Sequence, residues 1–243
     1  MMLSSRLAYG GYQLLWSGVD WIFPPRCAGC GREHARFCAE CLAAVKPIQG
    51  RLCVICGGYA PAGGVCRSCA ETPPRYAGLR SWAAYTGPLR KALQRLKYKR
   101  DLSLGEILAR PLLSLVISLN WQVDCVIPAP ISLARLRQRG YNQASLIAYP
   151  LSLGLNLAYL ARGLRKTRET RSQVGLPAAE RRLNVAQSFE ALPRLVSGRR
   201  VLVVDDITTT GATMEACALA LKSAGASEVY GVTVARSLLE DAS

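Results

Sequence analysis

Histidine is almost missing from this 243-residue chain, His34 being the only one. With no second imidazole to call on, any step that needs a general base falls to a carboxylate or to the nucleophile itself. Acidic residues are scarce as well. Sixteen Asp and Glu stand against 31 Lys and Arg, a formal charge of +15 and a pI near 9.7, which points to a polyanionic partner or substrate. Long apolar runs are absent too: none approaches the roughly 20 residues that a bilayer demands. Residues 1–25 carry Gly10, Gly11, Gly18 and Asp20 inside their apolar stretch with no small-residue cleavage site after it, so this segment does not read as a signal peptide. It is expected to be helical, with Trp16, Trp21, Ile22 and Phe23 packing on the protein's own core. The chain therefore reads as cytoplasmic with no transmembrane span. Half of its residues are hydrophobic, which excludes disorder, and the length suits one α/β domain of roughly 150 residues with a smaller module.

Cysteine is abundant but confined. Eight of ten fall in four CxxC pairs: Cys27 and Cys30, Cys38 and Cys41, Cys53 and Cys56, Cys66 and Cys69. Two CxxC knuckles place four thiolates around the tetrahedron that Zn²⁺ prefers, so residues 26–72 are expected to form a double zinc ribbon with two structural ions. Disulfides are the competing account, and a reducing compartment disfavours them. Pairing the first four and the last four sulfurs is the simplest scheme; an interleaved one fits the spacing too, and His34 is an alternative ligand. Ligand sets of four sulfurs leave no open position for a catalytic water. The remaining two thiols, Cys125 and Cys217, read as inert core residues.

From residue 77 to the end, strand and helix patterns alternate, as a parallel sheet with crossover helices requires. Strands are expected at residues 79–85, 123–127, 158–164, 200–204 and 228–235, with an edge segment at 188–190. Helices are expected from Pro88 to Tyr98, across 103–119 with Pro111 weakening or kinking it, through Tyr141 to Leu153 as one stretch, at 179–185, and from Gly211 to Ala224. Residues 166–178 have no apolar period and read as a mobile loop.

The sharpest motif is residues 201–213, VLVVDDITTTGAT. Val201 to Val204 form a buried strand that delivers Asp205 and Asp206 to its carboxyl end, where open α/β sheets place ligands. Thr208, Thr209, Thr210, Gly211, Ala212 and Thr213 then lead into a helix, so backbone N–H groups, hydroxyls and the positive end of the helix dipole converge on one spot suited to a phosphate monoester. The paired acids would repel that phosphate. They suit instead a neighbouring ribose diol, and their charge beneath the sugar would stabilise an oxocarbenium cation during substitution at C1.

This segment resembles the PRPP-binding loop of type I phosphoribosyltransferases. Taken with the cysteine ribbons, Leu96-Lys97-Tyr98, Pro128-Ala129-Pro130, residues 135–143 (RLRQRGYNQ), and Gln173, Leu176, Arg181 and Asn184, the chain resembles the ComF/GntX family of competence-associated proteins over nearly its whole length. The resemblance implies a type I phosphoribosyltransferase fold across residues 77–243, with Lys97 and Pro128 to Pro130 on the pyrophosphate side. It also implies a flexible loop at 166–178 closing over PRPP and Mg²⁺. Arg137, Arg139, Asn142, Gln143, Lys166, Gln173 and Arg181 become candidates for diphosphate or DNA contacts, with Asp205 and Asp206 as catalytic acids. Two readings follow: PRPP-dependent transfer in nucleotide salvage, and handling of single-stranded DNA during natural transformation beside a helicase-like partner. The +15 charge and the interleaved Tyr98 and Tyr141 agree with the second. A third reading is a ribbon-based assembly adaptor with a vestigial PRPP site, and membrane association through the uptake machinery is the alternative location.

Overall fold

The computed structural model describes residues 25–60, 62–167 and 188–237. The expected helices at 1–25 and 179–185, and Gln173, Leu176, Arg181 and Asn184, lie outside them.

Five strands form a parallel sheet: β1 (Gly78–Ala84), β2 (Cys125–Pro128), β3 (Ala158–Tyr159), β6 (Arg200–Thr208) and β7 (Glu228–Arg236), in the order β1-β7-β6-β2-β3. A separate antiparallel hairpin pairs β4 (Leu164–Lys166) with β5 (Phe189–Ala191). The central strands are apolar on both faces because helices cover both: Val201, Leu202, Val203 and Val204 are wholly buried. One face packs against α3 (Gly87–Tyr98), α4 (Leu104–Ser118) and α6 (Gln143–Leu155); the other carries α8 (Ala212–Ser223) and the hairpin. In α3, Leu89, Ala92, Leu93 and Leu96 recur at helical spacing and are all fully buried, so the apolar stripe fixes the rotation of the helix and with it the direction of its charged residues.

Four expectations are corrected. Strand β6 runs on through both acids to Thr208 instead of ending at Val204. Residues 158–164 are two strands in two sheets, since Leu160 to Gly163 turn the chain, with Gly163 N–H bonded to the Leu160 carbonyl. The stretch through Tyr141 is broken: α5 (Leu133–Arg139) ends at left-handed Gly140, and α6 begins only at Gln143, capped by Asn142. Lys166 belongs to β4, opposite Phe189, so the connection starts after it. Helix α4 continues through Pro111, and α6 through Pro150. A short α7 (Pro193–Val196) leads into β6.

The cysteine module consists of two near-copies, each a knuckle followed by a one-turn helix, α1 (Ala39–Ala43) and α2 (Arg67–Glu71). Corresponding turns close the knuckles: Gly31 N–H to the Cys27 carbonyl at 2.8 Å and Gly57 N–H to the Cys53 carbonyl at 3.0 Å. The module docks on the free edge of β1 through Ile48 N–H to the Trp82 carbonyl, Ala84 N–H to Lys46, and Leu79 N–H to Ile55. Its Ala28 and Val45 enter the core under α3. No helix among the described residues is long and apolar enough to cross a membrane.

Gly57 is in the left-handed region, and a Cβ there would lie 2.4 Å from the Leu79 carbonyl oxygen. Gly57→Ala is expected to lower stability by about 1–3 kcal/mol in thermal unfolding. Gly63→Ala, where φ is also positive but no atom lies within 4 Å, should cost only the conformational strain, about 1 kcal/mol.

Candidate functional site

The eight ribbon thiols gather as two sets, Cys27, Cys30, Cys38, Cys41 and Cys53, Cys56, Cys66, Cys69, with the sulfurs of each set within 4.8 Å of one another. The pairing is thus sequential, and His34 belongs to neither set. Sulfurs at a Zn–S distance of about 2.3 Å on a tetrahedron stand about 3.8 Å apart. Cys27 and Cys38 are 3.6 Å apart, Cys30 and Cys38 3.7 Å, and Cys56 and Cys66 3.7 Å. Backbone N–H groups serve the sulfurs: Cys38 N–H donates to Cys27 and Cys66 N–H to Cys53, each at 3.3 Å. Burial opposes ionisation of Cys27 and Cys53, but such backbone donors outweigh it and bring both thiols down to about 6. Both sets fit Zn²⁺, whose contribution when bound is to hold each knuckle closed.

The second site lies at the carboxyl end of β6. Asp205, Ile207, Thr208, Thr209, Gly211, Ala212, Thr213, Met214 and Thr233 line a recess there. Gly211 is the left-handed N-cap of α8 and supplies no capping side chain. Thr210 is beside the recess, its hydroxyl accepting from Ala212 N–H at 3.4 Å. Helix start, hydroxyls and glycine thus converge as the motif requires. The lining residues that sequence reasoning missed are Ile207, Met214 and Thr233; the signal for Thr233 was a hydroxyl inside the apolar run of β7.

Because side chains alternate across a strand, the two acids part company. Asp205 faces the recess. Asp206, only 5% exposed at its side chain, turns to the other face, where Lys97 Nζ meets Oδ2 at 2.5 Å and Gln143 Nε2 reaches Oδ1 at 3.4 Å. Lys97, expected on the diphosphate, is therefore engaged with Asp206. Burial above all, and then the charge of Asp206, push the Asp205 carboxyl well above the usual carboxylate range.

Residues 139–143 work as a clamp. Arg139 donates to the Gln143 side-chain oxygen and lies 5.5 Å from the centre of the exposed Tyr98 ring. The Tyr141 hydroxyl donates to the Leu96 carbonyl. Asn142 caps α6 through Ala144 N–H at 3.0 Å and donates to the Ala129 carbonyl at 2.9 Å. Ala129, between Pro128 and Pro130, is tied to β6 by its N–H on the Val204 carbonyl at 2.8 Å. Of the remaining candidates, Arg137 is on the exposed face of α5 and Lys166 Nζ stands 5.4 Å from the Phe189 ring centre.

Family models match a double zinc ribbon domain at residues 18–70 and a phosphoribosyl transferase domain at residues 136–238. The DNA utilization protein YhgH of Salmonella typhi is 32% identical over 214 residues, 85% of this chain and 92% of that protein. Competence protein F of Haemophilus influenzae is 30% identical over 232 residues, 89% of this chain and 99% of that protein. A solved structure titled as the allosteric regulatory enzyme of purine biosynthesis is 26% identical over 54% of this chain, with a TM-score of 0.38; the chain spans a quarter of its length, and a likeness at that score carries no weight.

Removing Lys97 leaves a buried carboxylate uncompensated. Lys97→Met should cost about 3–5 kcal/mol in chemical denaturation, with Asp206→Asn in the same chain restoring most of it. Asp205→Asn should behave oppositely. A carboxyl whose folded value is raised contributes stability that is present at low pH and lost as pH rises through that value, so the variant should melt higher than the parent at pH 7, and the advantage should vanish near pH 4.

Proposed function

This chain belongs to the ComF/GntX family, and from that premise we propose that it binds PRPP or a related phosphorylated ribose and takes part in the handling of imported single-stranded DNA. The observation that carries the first half is the recess at the start of α8. Its uncapped helix terminus, left-handed glycine and threonine hydroxyls suit a 5-phosphate, and Asp205 stands where it can accept from a ribose hydroxyl. Phosphate oxygens can accept from the first N–H groups of α8, where the only competing side chain among the described residues is the Thr210 hydroxyl in a long 3.4 Å contact with Ala212 N–H. Asp206 acts one step removed: held by Lys97 and Gln143, it keeps a negative charge under the sheet end beside the sugar. A diphosphate ligand has a second use for Lys97, since a compact ammonium on a flexible stem can divide its donors between Asp206 and a phosphate oxygen.

Among the described residues, Asp205 is the one carboxylate of the lining. A single acid suits Mg²⁺ that arrives on the ligand's own phosphates, which complete its octahedron, and does not suit a cage built by the protein alone. The ion would neutralise the diphosphate; the residues of the chain bind and orient the sugar.

Support for the nucleic-acid half comes from the names of relatives, a DNA utilization protein and a competence protein, and from one surface feature. Tyr98, 71% exposed, carries Arg139 against its ring, with exposed Lys99, Arg100, Arg135 and Arg137 nearby in sequence. An exposed aromatic with a cation beside it offers a base a stacking partner and its phosphate a counter-charge. Tyr141 is less exposed, and its hydroxyl is held by the Leu96 carbonyl.

Calorimetric titration of the zinc-loaded chain with ribose 5-phosphate, and with PRPP and Mg²⁺, should give saturable binding that Asp205→Asn weakens by at least tenfold. Pyrophosphate release read on the same samples separates a transferase from a binding protein. Single-strand affinity should fall steeply with salt, and Tyr98→Ala should reduce it about tenfold, in the range measured for loss of one stacked base. A zinc-loaded chain that binds neither ligand rules out the proposal.

A further inference from the structure

The two metal knuckles do not stand in the same relation to the recess. The first rests on α3, where Arg95 donates through Nη1 to the Cys27 carbonyl at 3.2 Å and pairs through Nη2 with Asp101. The second is wired to the phosphate loop from two directions. Along the sheet, Arg236 ends β7 directly opposite Thr208, the last residue of β6, and the next N–H, that of Ser237, donates to the Thr208 carbonyl at 2.9 Å. The Arg236 side chain crosses from there to the second knuckle and donates to the Cys56 carbonyl. It is 9% exposed, it has no acidic partner among the described residues, and its Nε has no hydrogen-bond partner among them. A buried guanidinium with so little compensation is costly, so its position is held by what surrounds it.

The second wire runs over the recess. Tyr76, 5% exposed, follows α2 and the knuckle closely in sequence, and a Cβ on Gly211 would stand 3.2 Å from its hydroxyl. One residue earlier, Arg75 N–H donates to Glu215 in the first turn of α8 at 2.8 Å. Behind these, Ile55 and Cys56 pack on the core that contains Leu79 and Met214, and the Leu79 side chain also reaches the position of a Gly211 Cβ, at 3.6 Å. Gly211 and Glu215 are thus each met by the five residues that follow the helix of the second knuckle, and Thr208 is joined to that knuckle through Arg236.

We propose that the second metal knuckle is a positioning element for the phosphate loop, acting through Arg236 and Tyr76, so that occupancy of the Cys53, Cys56, Cys66 and Cys69 set determines affinity for a phosphorylated ribose. This rests on the phosphate reading of the recess. A closed knuckle fixes the Cys56 carbonyl and thereby Arg236, which sets the height of the β7 end against Thr208; Tyr76 limits how far Gly211 can move. An open knuckle releases both. Arg236 and Tyr76 are positioning residues, since neither lines the recess.

The probe is ribose 5-phosphate, with affinity read by calorimetry and the loop by hydrogen exchange at the amides of residues 212–214. Arg236→Met should weaken binding about tenfold and speed exchange, the loss of one charge-assisted hydrogen bond, whereas Arg236→Lys, still able to donate to Cys56, should stay within about threefold of the parent. Cys66→Ser, checked by metal analysis to hold one ion in place of two, should match Arg236→Met, and the double variant should show no further loss. Arg95→Met, which cuts the corresponding contact of the first knuckle, should leave both readouts unchanged. The inference is overturned if Arg236→Met and Cys66→Ser exchange and bind as the parent does, or if Arg95→Met does as much damage. If the parent itself does not bind ribose 5-phosphate, the phosphate reading falls, and the exchange rates still decide whether the knuckle braces the loop.

Discussion

Asp206 sets the terms for one whole face of the molecule. A carboxylate carried into that position on a buried strand costs several kcal/mol unless a cation and further donors meet it, and three helices are placed so that they do. Lys97 arrives because the apolar stripe of α3 fixes which way its last turn points, and the Tyr141 hydroxyl then holds the Leu96 carbonyl, one residue before the lysine. Gln143 reaches the other carboxylate oxygen from the first position of α6, and Arg139 in turn fixes Gln143. The turn between Arg139 and Gln143 needs Gly140 in the left-handed region, where a side chain would be strained. The runs Leu96-Lys97-Tyr98 and Arg139 to Gln143 are therefore one structure written in two places, with the ion pair as its centre.

The ribbons answer a different problem. A parallel sheet ends in an exposed edge that invites pairing with another chain, and here β1 is covered by residues 46–48 and by Ile55. A segment of that size buries too little apolar surface to hold its own shape, and metal supplies what the core does not. The dependence runs both ways, because Ala28 and Val45 complete the core beneath α3 while the backbone of β1 completes the hydrogen bonding of the ribbons. Sequence order separates the two parts; packing does not.

Much of this was legible in the sequence wherever the governing physics is local. CxxC spacing gives a metal knuckle, and four valine and leucine positions ahead of a threonine-glycine turn give a buried strand feeding a recess at a helix start. What escaped was set at long range. Asp205 and Asp206 read as the end of the strand, because charged residues ordinarily terminate buried runs; β6 continues to Thr208 because Lys97, 109 positions earlier, neutralises one acid and the other lines the recess. Adjacency alone gives no hint that Asp206 turns to Lys97 and Gln143 while Asp205 lines the recess, which pleating brings about. Arg236 was overlooked for the same reason: a lone arginine after an apolar strand is ordinarily a solvated end, and only the fold brings Cys56 to it. Its location at the carboxyl end of a strand in a parallel sheet, the end at which such sheets bind ligands, was the available signal.

Asp205 shows why the site reads as functional and not merely structural. Its ionised form is disfavoured by burial and by its neighbour's charge, with Lys97 too far committed to Asp206 to offset this fully. An asparagine of the same shape would serve the sheet better, because the hydrogen bond from the Asp206 N–H at 2.8 Å needs only an acceptor and the attraction of Lys97 is outweighed by burial and by the charge of Asp206. Perturbed acids that weaken the fold around them gather where a ligand repays the cost. On the proposed reading the repayment at Asp205 would be a hydroxyl donor on the ligand whose phosphate α8 holds, a pair of groups that a ribose 5-phosphate carries and that inorganic phosphate lacks. On that proposal the energetic defect and the specificity of the recess are two descriptions of one carboxyl group.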